Sequence, residues 1–257
     1  MSFQPMLLSR QNVSSILALV AQIMLPSGID STDSAVPSPT ALSSELYLTL
    51  VSITSHLVRH RKDHITPLFP SLVSILASFL SALRRAGFGT TGSSSAINFD
   101  DDTAGVGLGK RAEREAKATF PFWVWEGGAK GVGKVEAKTV GRLLASLSAK
   151  TATNLKRKRD APTTTIQTEV TTSLIAPLSK HAPFIFLPYL RSCVHAVSPI
   201  PSTLRAELQG GWFEMMDVMG KWEREALMKG FLKDEEEAER GVLRQLWRAH
   251  EKERYRG

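Results

Sequence analysis

The sequence predicts an all-α protein: an irregular helical bundle of the kind that caps an α-solenoid, carrying a flexible Gly/Ser-rich insertion. Three observations predict it. Apolar residues recur at steps of three and four along most of the chain. Glycine and proline punctuate those rows. Apart from an ambiguous stretch at Phe122–Trp125, no run alternates apolar and polar residues as a half-buried strand must. Stripes of helical spacing have to be buried against other helices, so the rows imply a common core.

Val13, Leu17, Val20 and Met24 form the first row. The run around it, Val13–Leu25, includes Ser14, Ser15 and Gln22 and is shorter than the roughly 20 residues that cross a bilayer. It reads as a core helix. Leu42, Leu46, Leu50, Ile53 and Leu57 form the second row, with Tyr47, Val51 and Val58 beside it. Leu68, Leu72, Leu76, Phe79 and Leu83 form the third. Pro67 and Pro70 sit at its start, where a missing N–H costs least. Arg84, Arg85 and Gly87 suit its end.

Residues 88–131 break the pattern with Gly, Ser, Thr and an acidic knot at Asp100–Asp102. They read as a flexible insertion whose aromatic patch, Phe120–Trp125, docks on the core. Helical spacing resumes at Val140, Leu143, Leu144 and Leu147, and a basic, Thr-rich linker follows at 151–165. Val170, Leu174 and Leu178 make one further row, and Phe184, Leu187, Leu190 and Val194 another, with Pro188 kinking it or delaying its start. Gly210 and Gly211 are expected to break the chain before Trp212. The last helix is expected from Asp234, with Asp234 and Glu237 as a capping box and Ala238, Val242, Leu246 and Trp247 as its apolar side. Trp212, Phe213, Trp222, Phe231 and Trp247 are spaced like core residues. The whole of 1–257 reads as a single helical domain.

Chemistry is sparse. The 257 residues hold one cysteine, Cys193, so no internal disulfide can form, which fits a reducing compartment. Its apolar setting predicts a buried, inert thiol. Gly128–Lys134 has the glycine and lysine spacing of a phosphate-cradling loop, but Val135 stands where a magnesium-binding hydroxyl belongs. It also lacks further strands to form the sheet such loops crown. The preferred reading is a glycine-rich helix start, with a nucleotide-binding protein as the alternative. His56, His60 and His64 would share a helix face and could hold zinc, but Arg59, Arg61 and Lys62 crowd them with positive charge. No catalytic residue, metal ligand or cofactor is assigned, and the chain reads as a non-enzyme. The net charge of +7 favours acidic partners. Lys156, Arg157, Lys158 and Arg159 form a compact basic run suited to nuclear import or RNA-phosphate contact. A second alternative is a peripheral membrane protein using its basic, amphipathic helices.

The segment His181-Ala-Pro-Phe-Ile-Phe-Leu-Pro-Tyr189, the series Leu204–Asp217, the closing stretches Glu225–Leu227 and Arg240–Trp247, and the earlier Leu57–Arg61 and Arg142–Leu144 together resemble the C-terminal domain of the Urb/Npa family of nucleolar factors. The resemblance covers most of 42–86 and 135–257. It implies a scaffold without catalytic residues, acting in nucleolar assembly of the large ribosomal subunit (early pre-60S particles and pre-rRNA processing). Its implied partners are pre-ribosomal particle proteins, among them a DEAD-box helicase and a large helical-repeat protein, and pre-rRNA, with no membrane. Family proteins are longer and place this domain at the end of an extended helical array. This chain therefore reads as a fragment or a shortened relative.

Overall fold

The computed structural model describes residues 9–25, 42–87, 132–148, 174–196, 198–231 and 237–255. They fold as α1 (Arg10–Ile23), α2 (Leu42–His60), α3 (Lys62–Ile65), α4 (Phe69–Leu83), α5 (Lys134–Ser148), α6 (Ile175–Cys193), α7 (Ser202–Val218), α8 (Lys221–Glu225) and α9 (Glu237–Arg254). Short 3₁₀ turns precede and follow α4, and a π-helical turn, Ala226–Phe231, follows α8. Among the described residues there is no strand, so the all-α expectation holds. The insertion at 88–131 with its aromatic patch, the basic linker at 151–165, and Asp234 of the expected capping box lie outside the described residues.

Local chemistry sets the helix ends. The Ser9 hydroxyl accepts from the Asn12 amide at 3.3 Å and caps α1. Arg61, at φ −132° and ψ 48°, stops α2 and turns the chain into α3. Pro67 and Pro70 fall in the first turns of their helical segments, where no amide partner is lost.

Packing centres on α5 against α7, with α2 on α5, α4 on α6 and α1 on α4. Phe69, Phe79, Phe186 and Trp212 are fully buried, and burial of each phenylalanine contributes about 1.5–3 kcal/mol. The α5–α7 approach depends on two glycines. A Cβ on Gly211 would lie 2.4 Å from the Gly141 carbonyl oxygen, and one on Gly141 would lie 2.8 Å from the Glu207 carbonyl oxygen. This corrects the expected break at Gly210–Gly211: both residues lie inside α7. Their helix-weakening effect is outweighed by the close backbone contact at Gly211.

Three further expectations change. On α2, the buried face is Tyr47, Leu50, Val51, Thr54, Leu57 and Val58, whereas Ile53 is exposed. Among the described residues Ile53 is therefore the one departure, and Leu50 and Leu57 of the Leu42 row and all of the Tyr47 row face the core. Thr54 can join it because its hydroxyl donates to the Leu50 carbonyl at 2.9 Å. The rows around Leu178 and Leu190 belong to one helix, α6, that runs through Pro183 and Pro188. Dense burial of Pro183, Ile185, Phe186, Tyr189 and Leu190 holds it together despite the lost ladder bonds. Trp222 is 81% exposed, so it is no core residue.

The continuous stretch Lys62–Leu83 has the length of a membrane span and is apolar enough over 18 of its residues to cross one. Leu72, Ile75, Leu76, Phe79, Leu80 and Leu83 are nonetheless fully buried inside the bundle. Its apolarity is that of a core helix.

Candidate functional site

The N-terminus of α5 is closed by its own carboxylate. Glu136 accepts from the Gly133 amide at 2.7 Å, accepts another hydrogen bond from the Ser44 hydroxyl, and is 4% exposed. Glu136 thus does for this helix what the glutamate of a capping box does, and it ties α5 to α2. The same carboxylate stands where a phosphate cradle needs an open amide, so the described part of the Gly128–Lys134 loop serves helix capping. Lys134 is exposed, and Gly128–Gly131 lie outside the described residues.

The three histidines do not converge. His56 and His60 stack in parallel at 5.9 Å, while His64 lies beyond the α2 break and contacts Arg61 and Asp63. Among the described residues no group of three or more His, Cys, Asp or Glu side chains could hold a metal ion. Cys193 is buried; desolvation outweighs its hydrogen bond to Tyr189 and pushes the thiol up to about 11. A thiol so held is a poor nucleophile at neutral pH. The basic run Lys156, Arg157, Lys158 and Arg159 lies outside the described residues.

Other polar groups bind helix to helix. Arg84, at the end of α4, donates to the Ser198 carbonyl at 3.3 Å and to its hydroxyl at 3.0 Å. The Ser198 amide donates to His195 Nδ1 at 3.3 Å, and the Ile200 amide to the Ser192 carbonyl at 2.9 Å. The connection from α6 to α7 is therefore fixed from three sides. Tyr47 donates to the Phe79 carbonyl at 2.9 Å. Burial, with the Glu136 charge adding to it, raises the Tyr47 pKa well above its ordinary value. On α7, Asp217 pairs with His250 at 3.1 Å and Arg254 at 3.5 Å, which fastens α9.

A cleft of about 390 Å³ opens between α9 and the chain from Met219 to Met228. Met219, Leu227, Met228 and Leu243 make it apolar. Trp247 lies in its wall, with the Arg224 guanidinium 5.0 Å from the ring centre and the indole N–H donating to Glu251 at 2.9 Å. Arg244 and Arg248 line it as exposed cations. Periodicity assigns Val242, Leu246 and Trp247 to the core and does not reveal the cleft. The usable signal is the pair of adjacent rows Leu243–Trp247 and Arg244–Arg248, each one helical turn long and opposite in character.

These features define an all-α helical protein in which several of the described polar groups cap helices or tie them together, and others rim an open apolar cleft. The chain belongs to the Urb2/Npa2 family, whose family model matches residues 1–257. Membership gives it a role in ribosome biogenesis and places it with nucleolar factors that associate with pre-ribosomal particles. No curated protein and no solved structure matches it.

Proposed function

We propose that this chain is a non-catalytic docking scaffold in nucleolar assembly of the large ribosomal subunit, acting in early pre-60S particles during pre-rRNA processing. The observation that carries the reading is the family match along the whole chain. A tightly tied helical core supports it, because such a core presents surface side chains in fixed positions at low entropic cost on binding. The net charge of +7 favours an RNA-rich particle. The Lys156–Arg159 run supplies nuclear import or a salt-dependent phosphate contact. The bundle acts as the closing cap of a helical array, and its direct partners include a DEAD-box helicase and a large helical-repeat protein.

The test is sedimentation of the tagged chain from nuclear extract, with and without nuclease. Co-migration with large-subunit precursors is expected. A chain that stays among free proteins in both conditions sinks the reading. Magnesium-dependent ATP or GTP binding that Lys134→Ala abolishes sinks its non-catalytic part.

A further inference from the structure

We propose that the cleft along α9 is a docking groove for an acidic, amphipathic helix of a protein partner. The inference deepens the docking reading by naming a surface and the chemistry of its occupant.

Shape argues for a helix. Leu243, Trp247 and Glu251 follow one another at steps of four along α9, and Arg244 and Arg248 run beside them. The cleft therefore extends along the helix axis for about two turns, or roughly 12 Å at 1.5 Å per residue. Met219, Leu227 and Met228 supply the facing wall. An elongated apolar trough between two helical walls accepts the apolar stripe of a third helix, read at i, i+3 or i+4, and i+7. Part-exposed Met228 lines it above buried Met219, and its flexible thioether adapts to side chains of differing shape.

Charge argues for an acidic occupant. Arg224, Arg244 and Arg248 line the groove, against the single carboxylate of Glu251. That carboxylate already accepts the Trp247 indole N–H. Arg248 is exposed, and Arg244 pairs with an exposed Glu237 that bulk water screens. A helix with glutamates or aspartates flanking its apolar stripe would meet these guanidiniums, whereas a basic one would be repelled. The groove's lining has one aromatic, Trp247, part-buried with Arg224 over its ring, whereas an RNA-binding platform needs exposed aromatic faces beside the cations.

The test uses the full chain and a fluorescein-labelled synthetic helix with leucines at i, i+3 and i+7 on a glutamate background. Fluorescence anisotropy is read beside a lysine-background version and a single-stranded oligoribonucleotide. Saturable binding of the acidic helix alone is expected. It should weaken about tenfold or more with Arg244→Glu/Arg248→Glu, which changes exposed positions, and with Met228→Asp. Equal binding of the lysine version, or no loss on charge reversal, overturns the proposal. So does oligoribonucleotide binding that the same reversal abolishes. Dimerisation through α9 in sedimentation velocity, also lost on reversal, makes a second copy the occupant and overturns it too. Tighter peptide binding after Asp234, Glu235 and Glu236 are changed to Ser makes the chain itself the competitor, with the same consequence. Failure of the groove is distinguishable from failure of the docking reading. In the first case the charge-reversed chain still sediments with pre-60S particles and no helix binds; in the second the unaltered chain never reaches them.

Discussion

Arg84 holds Ser198 by two atoms at once, the backbone carbonyl at 3.3 Å and the hydroxyl at 3.0 Å, across 114 positions of chain. Both residues are buried. The forked guanidinium makes this grip possible, since a lysine ammonium is a point donor on a flexible stem.

Arg84→Ala should therefore lower unfolding free energy by about 1.5–3 kcal/mol, the range for hydrogen bonds to a charged group. Arg84→Lys should recover less than half of that. Urea denaturation followed by circular dichroism measures both, and full recovery by lysine would show that charge alone matters.

Gly211→Ala should destabilise by about 1–3 kcal/mol or more, because the new methyl meets the Gly141 carbonyl oxygen and Leu144 Cβ. Gly210→Ala is the internal control. Nothing lies within 4 Å of the point its methyl group would occupy, so it should stabilise α7 by about 0.5–1 kcal/mol through helix propensity. Thermal melts of the two variants should move in opposite directions.

Glu136→Ala removes the α5 cap and strands the Ser44 hydroxyl, at an expected cost of about 1–2 kcal/mol. Hydrogen exchange should show the first turn of α5 losing protection before the rest of the helix. Uniform loss along α5 would argue against a capping role.

Cys193 gives a pH dependence with a defined sign. Its folded pKa is raised from an ordinary 9.0 to about 11, because burial disfavours the thiolate. The native state keeps a proton that the unfolded chain has already released. The associated stability is complete below about pH 9 and is lost as pH rises through about 11. Two pH units correspond to about 2–3 kcal/mol. Between about pH 9 and 11 the unaltered chain should thus lose stability more steeply than Cys193→Ala, and iodoacetamide should label the native thiol slowly at about pH 8. Parallel slopes, or fast labelling, would contradict a buried thiol.

Replacing Lys156–Arg159 with alanines should reduce the nuclear fraction of a fluorescent fusion large enough to exclude passive entry. An unchanged distribution removes the import role from that run.

Much of the fold was legible because helical periodicity records burial directly. The rows through Val13, Leu72 and Val140 are core rows in the structure. Local rules misled where a distant partner intervened. Gly210–Gly211 looks like a break until Gly211 is known to face Gly141. Pro188 looks like a boundary unless Phe186 and Tyr189 are known to pack against Trp212, at ring distances of 4.6 and 4.3 Å. On α2 two apolar rows lie side by side, and spacing alone does not say that Ile53 turns outward while Leu50 and Leu57 stay in the core. The groove on α9 was harder still. Its facing wall comes from Met219–Met228, and no periodicity within α9 reveals that neighbour.

The joint between α5 and α7 is defined by side chains that are missing, and this has an evolutionary consequence. An oversized core residue can be offset by a smaller one opposite, so most interior positions drift in pairs. At Gly141 and Gly211 no smaller residue exists to trade. Related sequences that keep this crossing should hold both glycines while exchanging the leucines around them, and a lineage that loses either must re-angle the two helices.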